Sequence, residues 1–584
     1  MEQRYGELIE ELTGPGSHFE IAEEPTTEQR PIRHWKHAPS SLRAVLETSR
    51  SFADRPFLRL DDKVITYGEH ADYATAFAMT LVDVLEITPG DRVAIAMRNL
   101  PEWSVAFFGA AAAGAIVVSL NAWWTVGELL YAISDSTPSV IVADAERWDQ
   151  LASVVEDLRS LGVRRIFVVG GPKSHHSMDT GFVESFDRCI TKTQSSLELP
   201  YLAEPLSPNS DATIFYTSGT TSRPKGVLGT HGNICSNMMT RHFARSVRRS
   251  AASGSFKADK EPDVGGDIYL LTAPLFHAMG CHSALLGTIA CGGTLLLMHR
   301  WNVERALQLM ESHRVTTFGG APTMIRHLLD MLAERNVDLS SLRELLIGGA
   351  PLSPALVAQT QRALPNVVLE NGYGMTEASS TISFIAGEEC VAFPESVGRV
   401  IPVCDAIVIS ADGDPLPSDA AGELWIRGPG VTRGYWQQPA ATEAVFGGGW
   451  LKTGDIARLD DAGRIYLVDR AKDVIIRGGE NISSVEVESR LLEHPSIADA
   501  AVIAVPDATM GECVGAIIVT RTGMNVTEDE LREFLVERLA RFKIPGRYWF
   551  WSDELPRGHS GKILKRSLRE ELGLLDVVTE NGPV

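Results

Sequence analysis

Disulfide chemistry, a positive surface and a membrane-length apolar run are all missing from this 584-residue chain. Its seven cysteines are odd in number and form no CxxC pair, so neither a disulfide framework nor a Cys-rich zinc site is expected. Reduced thiols in a cytoplasmic protein are the simpler reading. Positive charge is scarce: 54 Lys+Arg face 75 Asp+Glu, a formal net charge of −21. That surplus repels a phosphate backbone, which argues against nucleic-acid binding as the main role. Any anionic substrate then needs locally gathered donors. Residues 103–127 carry no charge, but Ala and Gly dominate them rather than Leu. A buried helix ending near Gly114 and a buried strand over 115–120 are expected there, not a membrane span. The opening MEQRYGELIEELTG is acidic and lacks the apolar centre of a secretory leader. No GxSxG elbow occurs, and no cysteine stands in a known catalytic setting.

With 44% apolar and 22% charged residues, the composition is that of a folded chain rather than a disordered one. Short β-branched runs (92–97, 140–143, 165–169, 269–272, 294–298, 343–347) alternate with helix-length segments (102–113, 126–133, 303–313, 322–334, 353–363). This alternation predicts α/β layers around mostly parallel sheet. Near 407–425 short strands with Gly, Pro and Asp turns suggest a smaller β-rich subdomain. A charged connector, DRAKD at 469–473, precedes two strand patterns (500–505, 515–519) and two helical ones (528–539, 563–571), enough for an independent α+β domain. The expected division is an N-terminal part, 1–471, and a small C-terminal domain, 472–584. Residues 246–266 read as a poorly ordered surface insertion. Arg241–Arg249 reads as a solvated edge, or as a contact for an anionic nucleotide.

The most informative string is IFYTSGTTSRPKGV, 214–227. An apolar strand enters a loop of Thr, Ser and Gly whose hydroxyls and backbone N–H groups can wrap a polyphosphate, and Lys225 adds a point charge. A Walker A loop is excluded, because Gly226 rather than Ser or Thr follows Lys225. On composition alone a flexible polar surface loop is an equal reading.

This string closely resembles the phosphate loop of the adenylate-forming superfamily, which includes the acyl-CoA synthetases. NGYGMTEAS (371–379), GGAP (348–351), LKTGD (451–455), GRIYLVDRAKDVIIRGGENIS (463–483) and LPRGHSGKILKR (555–566) resemble the family's other motifs, in the family's order. The resemblance implies ATP, Mg²⁺ and CoA as reactants or cofactors, and a small-molecule carboxylic acid as substrate. It implies ATP contacts from Thr217, Ser218, Gly219, Thr220, Thr221 and Lys225, and a base pocket from Gly349, Ala350, Pro351 and Tyr373. Asp455 would take the ribose hydroxyls and Arg470 a second ribose or phosphate contact. Thr376 would bond the α-phosphate, Glu377 would hold the metal, and His277 would line the acyl site.

Lys562 matches the lysine that bridges acid and α-phosphate, at the start of a basic helix. By the same resemblance the small domain turns about Lys472, bringing Arg477, Gly478, Gly479 and Glu480 to the site for the thioester step. Taken singly, each of these residues has a plainer reading: a turn charge, an exposed lysine, a packed histidine. Ser222 and Ile476 depart from the family's usual residues.

The segments matching the acid pocket are rich in small residues, Ala278, Gly280, Gly319, Gly320, Ala321, Gly348 and Gly349, which suggests volume for a medium- or long-chain fatty acid or a bulky hydrophobic acid. FHAMGCH offers no Asp for an amino group, which weakens an amino-acid substrate. The expectation is an acid–CoA ligase acting through acyl-AMP. The alternative is a fatty acyl-AMP ligase that passes the acyl group to a carrier protein, and a nucleotide-binding scaffold is a third class. A homodimer is left open.

Overall fold

The computed structural model describes residues 2–24, 31–171, 181–191, 198–217, 223–253, 266–349, 352–470, 473–477, 480–507, 509–558 and 562–574. Two large sheets organise the first 400 residues. One runs, in spatial order, Gly434–Tyr435, Lys225–Thr230, Asp211–Thr217, Ile116–Leu120, Arg92–Ala96, Val140–Ala143, Arg165–Val168, Val183–Ser185. The other is centred on the parallel strands Glu344–Gly348, Thr317–Gly320, Ile268–Leu271 and Thr294–Leu297, with Val368–Met375 beside Glu344–Gly348. The strands from Ile116–Leu120 to Val183–Ser185 are parallel, and helical crossovers join those between Arg92 and Val168, as the β-branched spacing implies.

The chargeless stretch is explained by where it lies. Every residue of helix Pro101–Ala112 is buried, and its Trp103, Phe107 and Phe108 share a core with Val93 and Val117 of one sheet and Phe57, Leu271 and Leu295 of the other. A helix covered on both faces needs apolar residues all round. Strand Ile116–Leu120 follows it, fully buried. Among the described residues no helix is long and apolar enough to cross a membrane.

Two expectations are corrected in helix His231–Ser253. It runs through the first part of the proposed insertion, residues 246–253, while 254–265 lie outside the described residues. Its arginines are not a solvated edge. Arg241 pairs with Glu370 at 2.9 Å, and Arg248 pairs with Glu370 and, at 3.2 Å, with Glu344. Arg245 and Arg249 both meet Asp267, at 2.5 and 3.0 Å. The acids come from residues 267, 344 and 370 at the second sheet, which local charge patterning cannot foresee. Although burial favours the acid form, Arg241 and Arg248 outweigh it and hold Glu370 below its ordinary value.

A third sheet (Asp405–Ile409, Gly422–Arg427, Trp450–Leu459, Ile465–Arg470) is antiparallel. A fourth contains Ile475–Arg477, Glu480–Ile482, Ile497–Asp507, Gly511–Thr520 and Arg547–Trp551, over its own apolar core of Ile475, Val487, Leu491, Val502, Ile518 and Leu531.

Candidate active site

Strand Asp211–Thr217 pairs antiparallel with Lys225–Thr230, with Thr217 opposite Lys225. The Ser/Thr/Gly string thus lies in sequence between two strands that pair with each other. Its Ser218, Gly219, Thr220 and Thr221 lie outside the described residues, as do Ala350, Pro351, Lys472, Gly478 and Gly479. The residues just before Lys225 are tied down. The Arg223 guanidinium lies 5.1 Å from the Tyr131 ring centre, and the Tyr131 hydroxyl donates to the Pro224 carbonyl at 3.2 Å.

From Lys225 the contacts run inward. Its Nζ lies 4.9 Å from the centre of the Tyr435 ring, and Tyr435 Oη donates to Glu377 Oε1 at 3.0 Å. The edge strand Gly434–Tyr435 delivers this tyrosine by pairing with Leu228 and Val227. Glu377 sits with Thr376 in a 3₁₀ turn, Thr376–Ala378, just after strand Val368–Met375. Its backbone carbonyl accepts from Thr432 N and Oγ1, at 2.9 and 3.0 Å. Burial and then Glu377 raise the Tyr435 phenol above its ordinary value, so it stays a donor at neutral pH.

The same strand carries Tyr373. Its Oη donates to Asp455 Oδ2 at 2.5 Å, and Arg470 Nε lies 2.8 Å from Asp455 Oδ1. Asp455 and Arg470 face each other across two paired strands. Both carboxylate oxygens of Asp455 thus already have a partner. Beyond Tyr373 the strand bulges, and a Cβ on Gly374 would fall on the Ser380 carbonyl. Only glycine lets the Thr376–Glu377 turn sit this close.

His277 is half-buried. Its backbone N–H donates to the Pro274 carbonyl at 3.1 Å, and its carbonyl accepts from Cys281 N at 2.9 Å. The preceding Phe276 ring packs edge-on against Trp123 at 5.3 Å. Burial pushes the nearby His282 imidazole down to about 4, so it is neutral at pH 7. Two glycines counted as pocket volume have another cause. A Cβ on Gly280 would strike the Pro274 carbonyl, and one on Gly319 would strike the Tyr269 hydroxyl. Close packing, not an open pocket, requires glycine there. Gly348 is different: its Cβ would meet only Gly372 O, at 3.3 Å.

In the small domain Arg477 ends strand Ile475–Arg477, and Glu480 is exposed at the head of Glu480–Ile482. Lys562 is exposed, and its carbonyl accepts from Gly558 N at 2.7 Å. The basic helix begins at Lys565 rather than at Lys562, which stands in the preceding loop. Tyr435, Thr432 and Tyr131 escaped the sequence reading. Tyr435 stands in GYW at 434–436, but only sheet pairing brings it to Lys225.

Comparison with known proteins gives a consistent result. Residues 45–436 match the model of the AMP-binding enzyme family, and 486–562 that of the AMP-binding enzyme C-terminal domain. Feruloyl-CoA synthase of Amycolatopsis sp is 35% identical over 83% of this chain and 90% of its own length. The long-chain-fatty-acid–CoA ligase of Bacillus subtilis (strain 168) is 33% identical over 91% of this chain and 94% of its own. The structure of ATP-bound MatB from Rhodopseudomonas palustris superposes with a TM-score of 0.77 at 26% identity, covering 91% of this chain and 99% of that one. With both family models matched in order, and with relatives of this identity aligned over most of their length, the chain belongs to the AMP-binding enzymes of the adenylate-forming superfamily, as an acyl-CoA synthetase.

Proposed function

We propose that this acyl-CoA synthetase activates a bulky hydrophobic acid, a medium- or long-chain fatty acid or a ring acid, in the cleft between Lys225 and Arg470. The observation that carries the reading is the unbroken run of contacts Lys225–Tyr435–Glu377, continued along one strand to Tyr373–Asp455–Arg470. A cation, a carboxylate, an aromatic face and a second carboxylate in series support the reading, because these are the groups a nucleoside triphosphate would call on.

In the first half-reaction the acid's carboxylate oxygen attacks the α-phosphorus and the bond to the β-phosphate breaks, releasing pyrophosphate. Lys225 stabilises the departing phosphates, Thr376 bonds the α-phosphate, and Tyr373 packs against adenine. Asp455 takes the ribose hydroxyls by exchanging its present partners. A hard divalent ion suits Glu377, whose Oε1 alone is engaged by Tyr435. Among the described residues no group of three or more metal-ligating side chains occurs; Glu377 would hold the ion together with phosphate oxygens and water. Magnesium, when bound, would draw charge from the leaving pyrophosphate. Lys562 then bridges acid and α-phosphate.

In the second half-reaction the CoA sulfur, having lost its proton, attacks the acyl carbon and AMP leaves. For this step the domain 472–584 turns about Lys472, withdrawing Lys562 and presenting 477–480, while His277 lines the thiol's approach. Two facts support a hydrophobic acid: FHAMGCH carries no Asp, and the relatives above are named for feruloyl and long-chain fatty acids. Thioester formation across acids from acetate to long-chain and aryl members, with CoA and a carrier protein compared as acceptor, tests the reading. Turnover confined to acetate would overturn the substrate class. Lys562→Ala should lose at least ~10²-fold in pyrophosphate exchange, while thioester formation from added acyl-AMP largely survives.

A further inference from the structure

Tyr435 touches two groups of opposite charge with two different parts of one side chain. The ring receives the Lys225 ammonium at 4.9 Å from its centre, and the hydroxyl donates to Glu377 Oε1 at 3.0 Å. Its position is held from the backbone. Tyr435 N donates to Thr442 Oγ1 at 2.9 Å, and its strand pairs with the strand that starts at Lys225. A Cβ on the preceding Gly434 would strike Thr442, which keeps that turn tight. Glu377 is fixed from the other side by Thr432, three residues before Tyr435.

We infer that Tyr435 is a positioning residue, a spacer that stops Lys225 and Glu377 from pairing with each other and so keeps the ammonium for phosphate and one carboxylate oxygen for the metal. The inference rests on the roles proposed above for Lys225 and Glu377. Its physical basis is simple. An ammonium and a carboxylate brought together in a partly buried site neutralise each other, whereas an aromatic face attracts the cation without supplying a full counter-charge. The phenol bonds one oxygen of Glu377 and thereby aims the other.

Calorimetric ATP binding, with magnesium and with EDTA, separates these roles. Tyr435→Phe keeps the ring and loses the hydrogen bond. It should raise the half-saturating magnesium concentration about 3- to 10-fold and leave ATP affinity in EDTA unchanged. Tyr435→Leu removes the spacer. It should weaken ATP binding in EDTA by about 5-fold, because Lys225 turns to Glu377. Adding Glu377→Gln to Tyr435→Leu should return that affinity to the value of Glu377→Gln alone, which a merely structural tyrosine would not do. If Tyr435→Leu does not fold, the magnesium titration of Tyr435→Phe decides. An unchanged titration there, or no recovery in the double variant, overturns the inference. Glu377→Gln and Lys225→Met serve as references. If these two shift neither magnesium nor ATP binding, the assigned roles themselves fail and the spacer falls with them.

Discussion

Two buried charge clusters in this protein are built on opposite ratios. In the N-terminal part Arg241, Arg245, Arg248, Arg249 and Arg343 face Asp267, Glu344 and Glu370. In the small domain one cation, Lys565, faces Glu488 at 2.8 Å and the charges of Asp469 and Asp473. Where cations outnumber carboxylates, Glu370 is held below its ordinary value in spite of burial. Where carboxylates outnumber the cation, burial wins and both Glu488 and Asp469 are raised. For Lys565 burial opposes the charge, but Glu488 and Asp469 together outweigh it and raise the ammonium.

The clusters also differ in what they join. The first lies wholly within residues 241–370. The second spans the chain on either side of the proposed hinge: Ser484 N donates to Asp469 Oδ2 at 2.5 Å, Ser483 Oγ donates to the Val468 carbonyl, and Lys565 Nζ bonds Ser484 Oγ at 2.5 Å. The proposed turn about Lys472 would separate Ser483 and Ser484 from 468–469, whereas it would leave the first cluster in place. Surplus counter-charge suits a permanent scaffold. A deficit would suit the joint that the proposed turn opens.

The comparison can be broken at several points. Glu370→Ala takes from buried Arg248 one of its two carboxylate partners and from Arg241 its own, and should cost about 3–5 kcal/mol in urea unfolding. A loss below about 1 kcal/mol would mean that the cluster is no scaffold. Lys565→Met strands two carboxylates and should cost about 2 kcal/mol, read in unfolding of the small domain. Lys472→Pro should leave pyrophosphate exchange intact and slow thioester formation on the order of tenfold. Equal loss of both half-reactions would remove the hinge, and with it the reason for a weak joint.

The smallest effect is in pH. Glu370 has a depressed folded value, so the stability it contributes is complete above its unfolded value of 4.5 and is lost as pH falls below it. The penalty of Glu370→Gln should therefore shrink below pH 4.5. Asp469 is raised above 3.8, so its charge costs stability at neutral pH, and the cost fades as pH falls through the raised value. Asp469→Asn should be slightly more stable than the parent at pH 7, and the two should converge towards pH 3.8. Melting curves from pH 3.5 to 7 read both signs.

Much of the layered fold was legible, because it depends on local pattern. Helix Pro322–Glu334 and strand Val140–Ala143 fall where apolar spacing and turn residues put them. The errors arose where a distant segment supplied the partner. Arg248 looked like surface until Glu344 and Glu370 closed on it. Gly319 looked like pocket space until Tyr269 filled it. The helix after Lys562, expected from 563, starts two residues late, at Lys565, whose side chain is drawn to Glu488 and Ser484.

The amino-acid order alone determined the α/β class, the succession of strand and helix, and the family to which the chain belongs. Those properties reside in short strings whose residue types set backbone propensity and chemistry together. Tertiary structure alone decided which charges are paired, which glycines are packing necessities, and that Tyr435 stands between Lys225 and Glu377. Such facts turn on distances between residues far apart in the chain, and Coulombic and steric energies depend on distance, not on sequence separation.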